Sequence, residues 1–280
     1  MWVTETWEDR IQHGLKVAET LFDARSPYQH VQIVRTEFYG RVLLLDGMFQ
    51  TSEADEYLYH EPMVHPLMAL VPDTERVLVV GGGDGGTARE VLRYPAVQQV
   101  VMCEIDELVV AACKQHMPAL GGDAWHDPRL DLRFCDAAEH VRQAEPESYD
   151  AILVDGSDPI GPGAALFAED FFAHCKRVLK PGGLYVMQSG SPFLTRDGFL
   201  RTVRGLREAF GEARPYLGSV PLYGAGPWSW TLAGERVSPE AANFERSASF
   251  RDELRHYSAA MHAAGFTLPP EFVRALEATS

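Results

Sequence analysis

"RVLVVGGGDGGTAREV", residues 76–91, holds the reading of the fold. An apolar run enters a glycine turn, and the turn opens into residues with helical spacing. Gly81, Gly83 and Gly86 satisfy G-x-G-x-x-G, so the turn can tighten and the backbone can approach a ligand closely. Eighteen residues past Gly86, at the end of the next apolar run, stands Glu104. An acidic residue at that separation suits two ribose hydroxyls. An adenosine-type ligand follows. The pattern alone does not separate a dinucleotide from a ligand of the S-adenosylmethionine type.

Asp84, inside the loop, helps to separate them. A dinucleotide would lay its pyrophosphate over a helix N-terminus that favours anions, and a carboxylate there repels it. Intact S-adenosylmethionine brings a carboxylate of its own. An adenosyl sulfonium whose chain ends in an ammonium alone is the ligand that Asp84 favours. The plainer reading of Asp84 is an Asx turn that caps the following helix.

Downstream, strands and helices alternate: Arg76–Gly81, a helix from about Thr87, Gln99–Glu104, a helix at 108–116, a strand at 130–135, a helix at 137–144 and a strand at 151–155. A helix at 168–179, the turn KPGG and the strand LYVMQSG follow. Such alternation calls for a parallel sheet covered by helices on both faces. The helix FLRTVRGLREAF, strands near SWTLAG and a last helix at 270–276 extend that unit. Upstream, GLKVAETLFDA, YQHVQIVRTEFYG and RVLLLDGMFQT are rich in strand formers, broken at Ser26-Pro27, Tyr39-Gly40 and Asp46-Gly47. They read as antiparallel strands, too few to be comfortable alone.

The expected class is therefore α/β. A small N-terminal antiparallel β domain, residues 1–56, precedes a Rossmann-like parallel-sheet domain of the class I methyltransferase type, residues 57–280. Between them EADEYLYHEPMVHPLMAL has helical spacing. Pro62 is expected to kink or restart that helix, because an interior proline removes a backbone bond and costs about 3 kcal/mol.

YDAILVDGSDPIGPGAALF is the second unusual stretch. A buried-type strand ends on Asp155, Asp158 follows three residues later, and the loop beyond has the composition of a lid. One carboxylate can take a proton from an ammonium while its neighbour anchors the cation. An alkylammonium with a pKa near ~10.4 is neutral to roughly 0.1% or less at pH 7, so a base within reach of it is needed. The plain alternative is a pair of turn aspartates. Yet Asp84, Glu104, Asp136 and Asp155 each follow a different strand, and strand ends of a parallel sheet converge on one crevice.

Bulk properties agree. With 40 acidic against 25 basic residues the net charge is −15. That argues against a nucleic-acid or anionic-membrane surface and suits a cationic substrate. No run of eighteen apolar residues exists, so no membrane span is expected. The start, MWVTETWEDR, lacks the layout of a signal peptide, which makes a cytoplasmic location the expectation. Cys103, Cys113, Cys135 and Cys175 form no C-x-x-C pair and read as small residues in a reducing compartment. His60, Glu61 and His65 resemble a zinc-protease helix, but histidines five apart do not share a helix face, and no metal is expected. Trp228 and Trp230 either line an amine channel, since aromatic faces attract cations, or belong to a strand core. Phe171 and Phe172 read as helix core.

With these residues in view, the chain resembles the polyamine aminopropyltransferase family, most of all its bacterial spermidine synthase branch. The resemblance runs from YGRVLLLDGMFQTSEADEYLYHE through GGGDGGTAREV, CEID, DGSDPIGP and LKPGG to VPLYG and HYSAAMHAAGFTLPPEF. It implies transfer of an aminopropyl group from decarboxylated S-adenosylmethionine to putrescine, giving spermidine and methylthioadenosine. The sulfonium compound is then a co-substrate, and no cofactor is implied. It also implies an N-terminal β-hairpin domain and a homodimer or homotetramer. Matched motif by motif, Gln29, Asp84, Glu104, Asp136, Ala137 and Pro162 fall where the nucleoside-bearing donor is held. Asp155 matches the proton acceptor. Asp158, His60, Asp84, Tyr59, Gln188 and Tyr223 match the polyamine side, together with Asp155. His30 stands where an aspartate is usual, Ala137 where a glycine is usual, and Pro62 interrupts the helix that carries Tyr59 and His60. Cadaverine, agmatine and spermidine remain rival acceptors. A methyltransferase and an NAD-dependent oxidoreductase are rival readings of the same fold, and an idle polyamine sensor is a rival from a different class.

Overall fold

The computed structural model describes residues 1–7, 9–157, 161–224 and 226–278, with 161 and 162 by backbone alone. Two sheets share the chain. The first is an antiparallel meander of β1 (Trp2–Trp7), β2 (Ile11–Arg25), β3 (His30–Thr36), β4 (Arg41–Leu45) and β5 (Met48–Ser52), paired in that order. The β4–β5 hairpin closes on Asp46 and Gly47, both at positive φ (48° and 82°), as the Asp-Gly pair leads one to expect.

The second sheet begins after α1 (Tyr57–Leu70). Its elements are β6 (Arg76–Gly81), α2 (Gly86–Leu92), β7 (Gln99–Glu104), α3 (Glu107–His116), the single turn α4 (Pro118–Gly121), β8 (Leu130–Phe134), α5 (Ala137–Gln143), β9 (Tyr149–Asp155), α6 (Glu169–Val178), β10 (Leu179–Gly190), α7 (Arg196–Phe210), β11 (Glu212–Ser219) and β12 (Pro227–Gly234). Two short helices, α8 (Ala259–Gly265) and α9 (Pro270–Glu277), follow. The strand order is β11-β12-β10-β9-β6-β7-β8; β10, β9, β6, β7 and β8 run parallel, and β11 and β12 close the edge antiparallel.

Residue alternation along the strands builds a core on each face. Val77, Val79, Leu153 and Val186 point to the side covered by α1 and α2. Leu78, Val80, Ile152, Val154 and Met187 point to the side covered by α5, α6 and α7, where Phe171 and Phe172 are buried. A third cluster joins the two sheets: Val31, Ile33 and Leu43 of the meander pack on Val109, Ala112 and Cys113 of α3. That contact sets the small sheet beside the carboxyl ends of β6, β7 and β9.

Pro62 does not break its helix. α1 is continuous from Tyr57 to Leu70 with Pro62 and Pro66 inside it, and residues 59–69 are all buried. A proline at 66 leaves the Pro62 carbonyl without its i+4 donor. Tyr216 of β11 supplies a replacement, its hydroxyl donating to the Pro62 oxygen at 2.7 Å. Tertiary packing thus overrides the local penalty, and Tyr59 and His60 stay in register with the rest of the helix.

Candidate active site

One cavity lies over the carboxyl ends of the parallel strands. Gln29, Tyr59, His60, Asp84, Glu104, Asp136, Ala137, Asp155, Gln188 and Tyr223 all line it. Asp158 lies outside the described residues, as does the side chain of Pro162.

The glycine loop positions Asp84. Gly81 sits at φ +76°, where an added Cβ would lie 2.3 Å from the Asp155 carbonyl oxygen, so β6 and β9 can end side by side only with glycine there. Asp84 Oδ1 accepts from the Gly86 N–H at 2.8 Å, so the Asx turn is formed. Its other oxygen, Oδ2, faces His60 Nε2 at 3.3 Å. Gly86 makes that approach possible, since any Cβ would collide with the imidazole.

His60 stands between two acids. Nδ1 contacts Glu56 Oε2 at 2.7 Å, one helical turn back, and Glu56 is itself held by Arg89 Nη2 at 2.8 Å. Burial pushes the His60 pKa down, but Asp84 and Glu56 outweigh it and raise it well above the usual imidazole range. Burial likewise pushes Asp84 up; the His60 charge, the Gly86 N–H and Arg89 outweigh it and hold Asp84 below its ordinary value.

Asp155 ends β9. Its Oδ1 accepts from the Tyr59 hydroxyl at 2.9 Å and its Oδ2 from the Thr87 hydroxyl at 2.6 Å. An oxygen of Asp155, an oxygen of Asp84 and a ring nitrogen of His60 lie within 4.8 Å of one another. Burial first, and the Asp84 charge second, raise the Asp155 pKa against the opposing pull of His60, Thr87 and Tyr59. Two adjacent carboxyls are thereby driven apart: Asp84 is held ionised and Asp155 is made the better proton acceptor.

Further polar side chains line the same cavity. Glu104 closes β7 with Oε1 on the Asp106 N–H at 2.9 Å, and burial, helped by Asp106 and Asp155, pushes it up to about 7. Gln29 reaches from the β2–β3 turn to Asp106 at 2.9 Å, tying the small sheet to the catalytic one. Asp136 caps α5, its Oδ1 accepting from the Ala138 N–H at 2.8 Å, and Ala137 beside it also lines the cavity. Gln188 is fixed by the Gly190 N–H at 2.9 Å, and the Tyr223 hydroxyl donates to the Gln50 carbonyl at 2.8 Å. Trp228 packs against Tyr223 with ring centres 4.6 Å apart and lines the cavity; Trp230 is fully buried and stacks on Tyr216.

His65 and Glu61 have separate work. His65 contacts the Tyr94 hydroxyl at 2.9 Å and Glu90 at 3.1 Å, while Glu61 accepts three N–H groups from Arg255, His256 and Tyr257. Glu5 and Trp7 of β1 and Gln50 of β5 line the cavity and escaped sequence reasoning. Glu5 is buried, accepts from the Phe49 N–H at 3.2 Å, and faces the same cavity as Asp84. WVTETW alternates as a strand should, which places Val3, Glu5 and Trp7 on one face; that was the available signal. Glu56 was legible from its i, i+4 spacing to His60.

Comparison with known proteins bears on this geometry. Residues 56–243 match the family model of the spermine/spermidine synthase domain, and residues 1–53 match that of the spermidine synthase tetramerisation domain. The chain is 39% identical over 280 residues to a polyamine aminopropyltransferase of Moorella thermoacetica, covering 99% of this chain and 97% of the relative. It is 47% identical over 232 residues to the protein of that name from Prochlorococcus marinus (strain MIT 9313), covering 83% and 80%. A crystal structure of spermidine synthase in complex with the transition state analogue AdoDATO superposes with a TM-score of 0.95 at 32% identity, covering 99% of this chain and 95% of that one. Spermidine synthase from Thermotoga maritima superposes with a TM-score of 0.93, also at 32% identity, covering 99% and 94%.

Proposed function

The chain belongs to the polyamine aminopropyltransferase family, and from that premise we propose that it is a spermidine synthase, moving an aminopropyl group from decarboxylated S-adenosylmethionine to putrescine. The observation that carries the reading is the Asp84–Asp155 pair, one carboxyl held ionised by His60 and the other raised beside it. A cation is the natural occupant of such a pair, and a base is what an ammonium nucleophile lacks.

The step is an in-line displacement. Asp155 takes one proton from the attacking ammonium and exposes the nitrogen lone pair. That pair forms a bond to the methylene carbon next to sulfur as the carbon–sulfur bond breaks, and its electrons neutralise the sulfonium to a thioether. Spermidine leaves with a secondary ammonium, methylthioadenosine leaves as the thioether, and the proton on Asp155 passes to water. The sulfonium charge lowers the ammonium pKa through like-charge repulsion, while the raised Asp155 pKa narrows the gap from the other side. The leaving group is already activated, so most of the rate comes from alignment.

In this reading Glu104 holds the ribose hydroxyls, Gln29, Asp136, Ala137 and Pro162 hold the nucleoside, and Asp84 with His60 receives the aminopropyl ammonium. Asp158 anchors the acceptor, and Tyr59, Gln188 and Tyr223 wall its path. No cofactor is needed. The match of residues 1–53 to a tetramerisation domain supports a homodimer or homotetramer. Among the described residues no helix is long and apolar enough to cross a membrane.

The test is release of methylthioadenosine from decarboxylated S-adenosylmethionine, with putrescine, cadaverine, agmatine and spermidine offered separately. Putrescine is expected to be used best. Preference for another amine would replace the acceptor and keep the mechanism; no release with any amine, despite tight methylthioadenosine binding, would sink the enzymatic reading in favour of a sensor.

A further inference from the structure

Two cysteines meet in the wall of the cavity. Cys103, on β7 next to Glu104, is buried, and Cys135, just past β8, is half-buried; both line the cavity beside Glu104, Asp136 and Ala137. Their strands are parallel neighbours, and the Cys135 N–H donates to the Glu104 carbonyl at 3.0 Å, which fixes the two sulfurs on adjoining strand ends. On α5, His140 turns toward them. One of its ring nitrogens and the two sulfurs lie within 4.8 Å of one another. The Tyr149 hydroxyl, 2.8 Å from His140 Nε2, holds the ring in place, the kind of supporting contact that steadies a ligating imidazole. None of these three side chains has a part in the transfer described above.

Two sulfurs and one imidazole form a soft, nitrogen-containing donor set, which selects metals of the zinc type over magnesium or calcium. Zinc bonds of about 2.3 Å to sulfur and about 2.0–2.1 Å to nitrogen place tetrahedral donors roughly 3.5–4 Å apart. Groups already within 4.8 Å of one another need only small side-chain rotations to reach that spacing. The cavity that both cysteines line supplies the entry path.

We propose that Cys103, Cys135 and His140 capture one thiophilic cation of the zinc and cadmium class, and that the captured ion and the nucleoside exclude each other. On binding, each thiol gives its proton to water and coordinates as thiolate, with no change of oxidation state. The remaining position on the ion is left to water. Because Cys103 adjoins Glu104 and Cys135 adjoins Asp136 in the chain, an ion drawn between the sulfurs displaces both ends of the nucleoside site. The exclusion rests on the donor-site reading given under Proposed function; the capture does not.

The experiment titrates the full chain with cadmium ion and follows the ultraviolet thiolate-to-cadmium charge-transfer band. One ion per chain is expected to give the band. Cys103→Ser and Cys135→Ser should each reduce it and weaken binding, the double variant should abolish it, and His140→Ala should weaken binding by at least about tenfold. Cys113→Ser and Cys175→Ser, which alter the other two cysteines, should leave it intact; thermal melts check that each variant folds. Absence of the band in the natural chain, or its survival in the Cys103→Ser/Cys135→Ser double variant, overturns the capture site. Metal binding without a thiolate band overturns it too, since the oxygen-rich His60–Asp84–Asp155 group would then be the ligand set. In a second arm, saturating methylthioadenosine should lower the apparent cadmium affinity by tenfold or more. Methylthioadenosine that binds and leaves cadmium affinity unchanged overturns the exclusion, whereas methylthioadenosine that fails to bind overturns the donor-site reading and leaves the metal titration standing.

Discussion

At the scale of single residues, the candidate site sets two carboxyls of one type apart, Asp84 below and Asp155 above the ordinary carboxylate range. Asp155→Asn keeps the shape and the hydrogen-bond reach toward Tyr59 and Thr87 but removes the proton acceptor, so kcat should fall by about 10²–10⁴, with methylthioadenosine affinity changed little. Near-normal turnover would remove Asp155 from the role of base. Glu104 makes a second, separable prediction. Its pKa rises from 4.5 to about 7 on folding, chiefly through burial. Between those values the folded chain binds more protons than the unfolded one, so this group's contribution to stability is full below about pH 4.5 and is lost as pH rises through about 7. The lost contribution is roughly 3 kcal/mol by linkage. Glu104→Gln should therefore raise the melting temperature of the ligand-free protein at pH 8, flatten its pH dependence between 5 and 8, and weaken methylthioadenosine binding. A variant less stable at pH 8 than the natural chain would show that the carboxylate is not strained. Both residues were legible because strand-end acids of a parallel sheet share one crevice whatever the details of packing. The His60–Glu56–Arg89 chain was only half legible: spacing announces Glu56, but Arg89 arrives from another helix.

At the scale of elements, α1 is where local propensity and tertiary structure disagree. Two prolines inside fourteen residues would defeat an isolated helix, yet α1 is buried along nearly its whole length, and Tyr216 bonds the carbonyl that Pro66 leaves without a donor. Tyr216→Phe removes only the hydroxyl and strands that buried oxygen, at about 1–3 kcal/mol. Urea unfolding should show the loss as a lower midpoint with an unchanged slope, and unchanged stability would mean that the helix needs no such support. Because α1 carries Tyr59 and His60, the same variant should lower turnover more than methylthioadenosine binding. The parallel strands and their helices were legible element by element, since period-2 and period-3.6 patterns depend on burial alone. β11, Glu212–Ser219, is not among the strands the sequence names, and the KPGG turn is absorbed into β10 as an irregularity in its pairing with β9. Gly211 at φ +104° ends the helix before β11 and Gly182 at φ +79° turns KPGG, but the strand pairing around both is made with distant strands.

At the scale of the whole molecule, the site is shared between two sheets that the sequence presents as separate domains. Their order and class could be read in advance, but their mutual placement could not, because the cluster joining β3 and β4 to α3 leaves no periodic trace. Nor did any motif announce β1, the outermost strand of the small sheet, as part of the catalytic wall. Glu5 nevertheless brings a further buried carboxylate into the cavity that holds Asp84, Glu104 and Asp155, and Trp7 stands two residues along on the same strand face. In the proposed reading a diamine with one nitrogen at Asp155 carries its second charge elsewhere in the cavity, and the acidic wall contributed by the other sheet would hold that charge together with Asp158. Glu5→Gln preserves size and an acceptor for the Phe49 N–H while removing the charge. Loss of one charged hydrogen bond, about 1.5–3 kcal/mol, should lower kcat/KM for the amine by roughly 10–100-fold through KM. The kcat at saturating amine and the affinity for methylthioadenosine should hold, because in the proposed reading Glu5 takes no part in holding the nucleoside. A fall in kcat with an unchanged amine KM would place Glu5 outside the acceptor path.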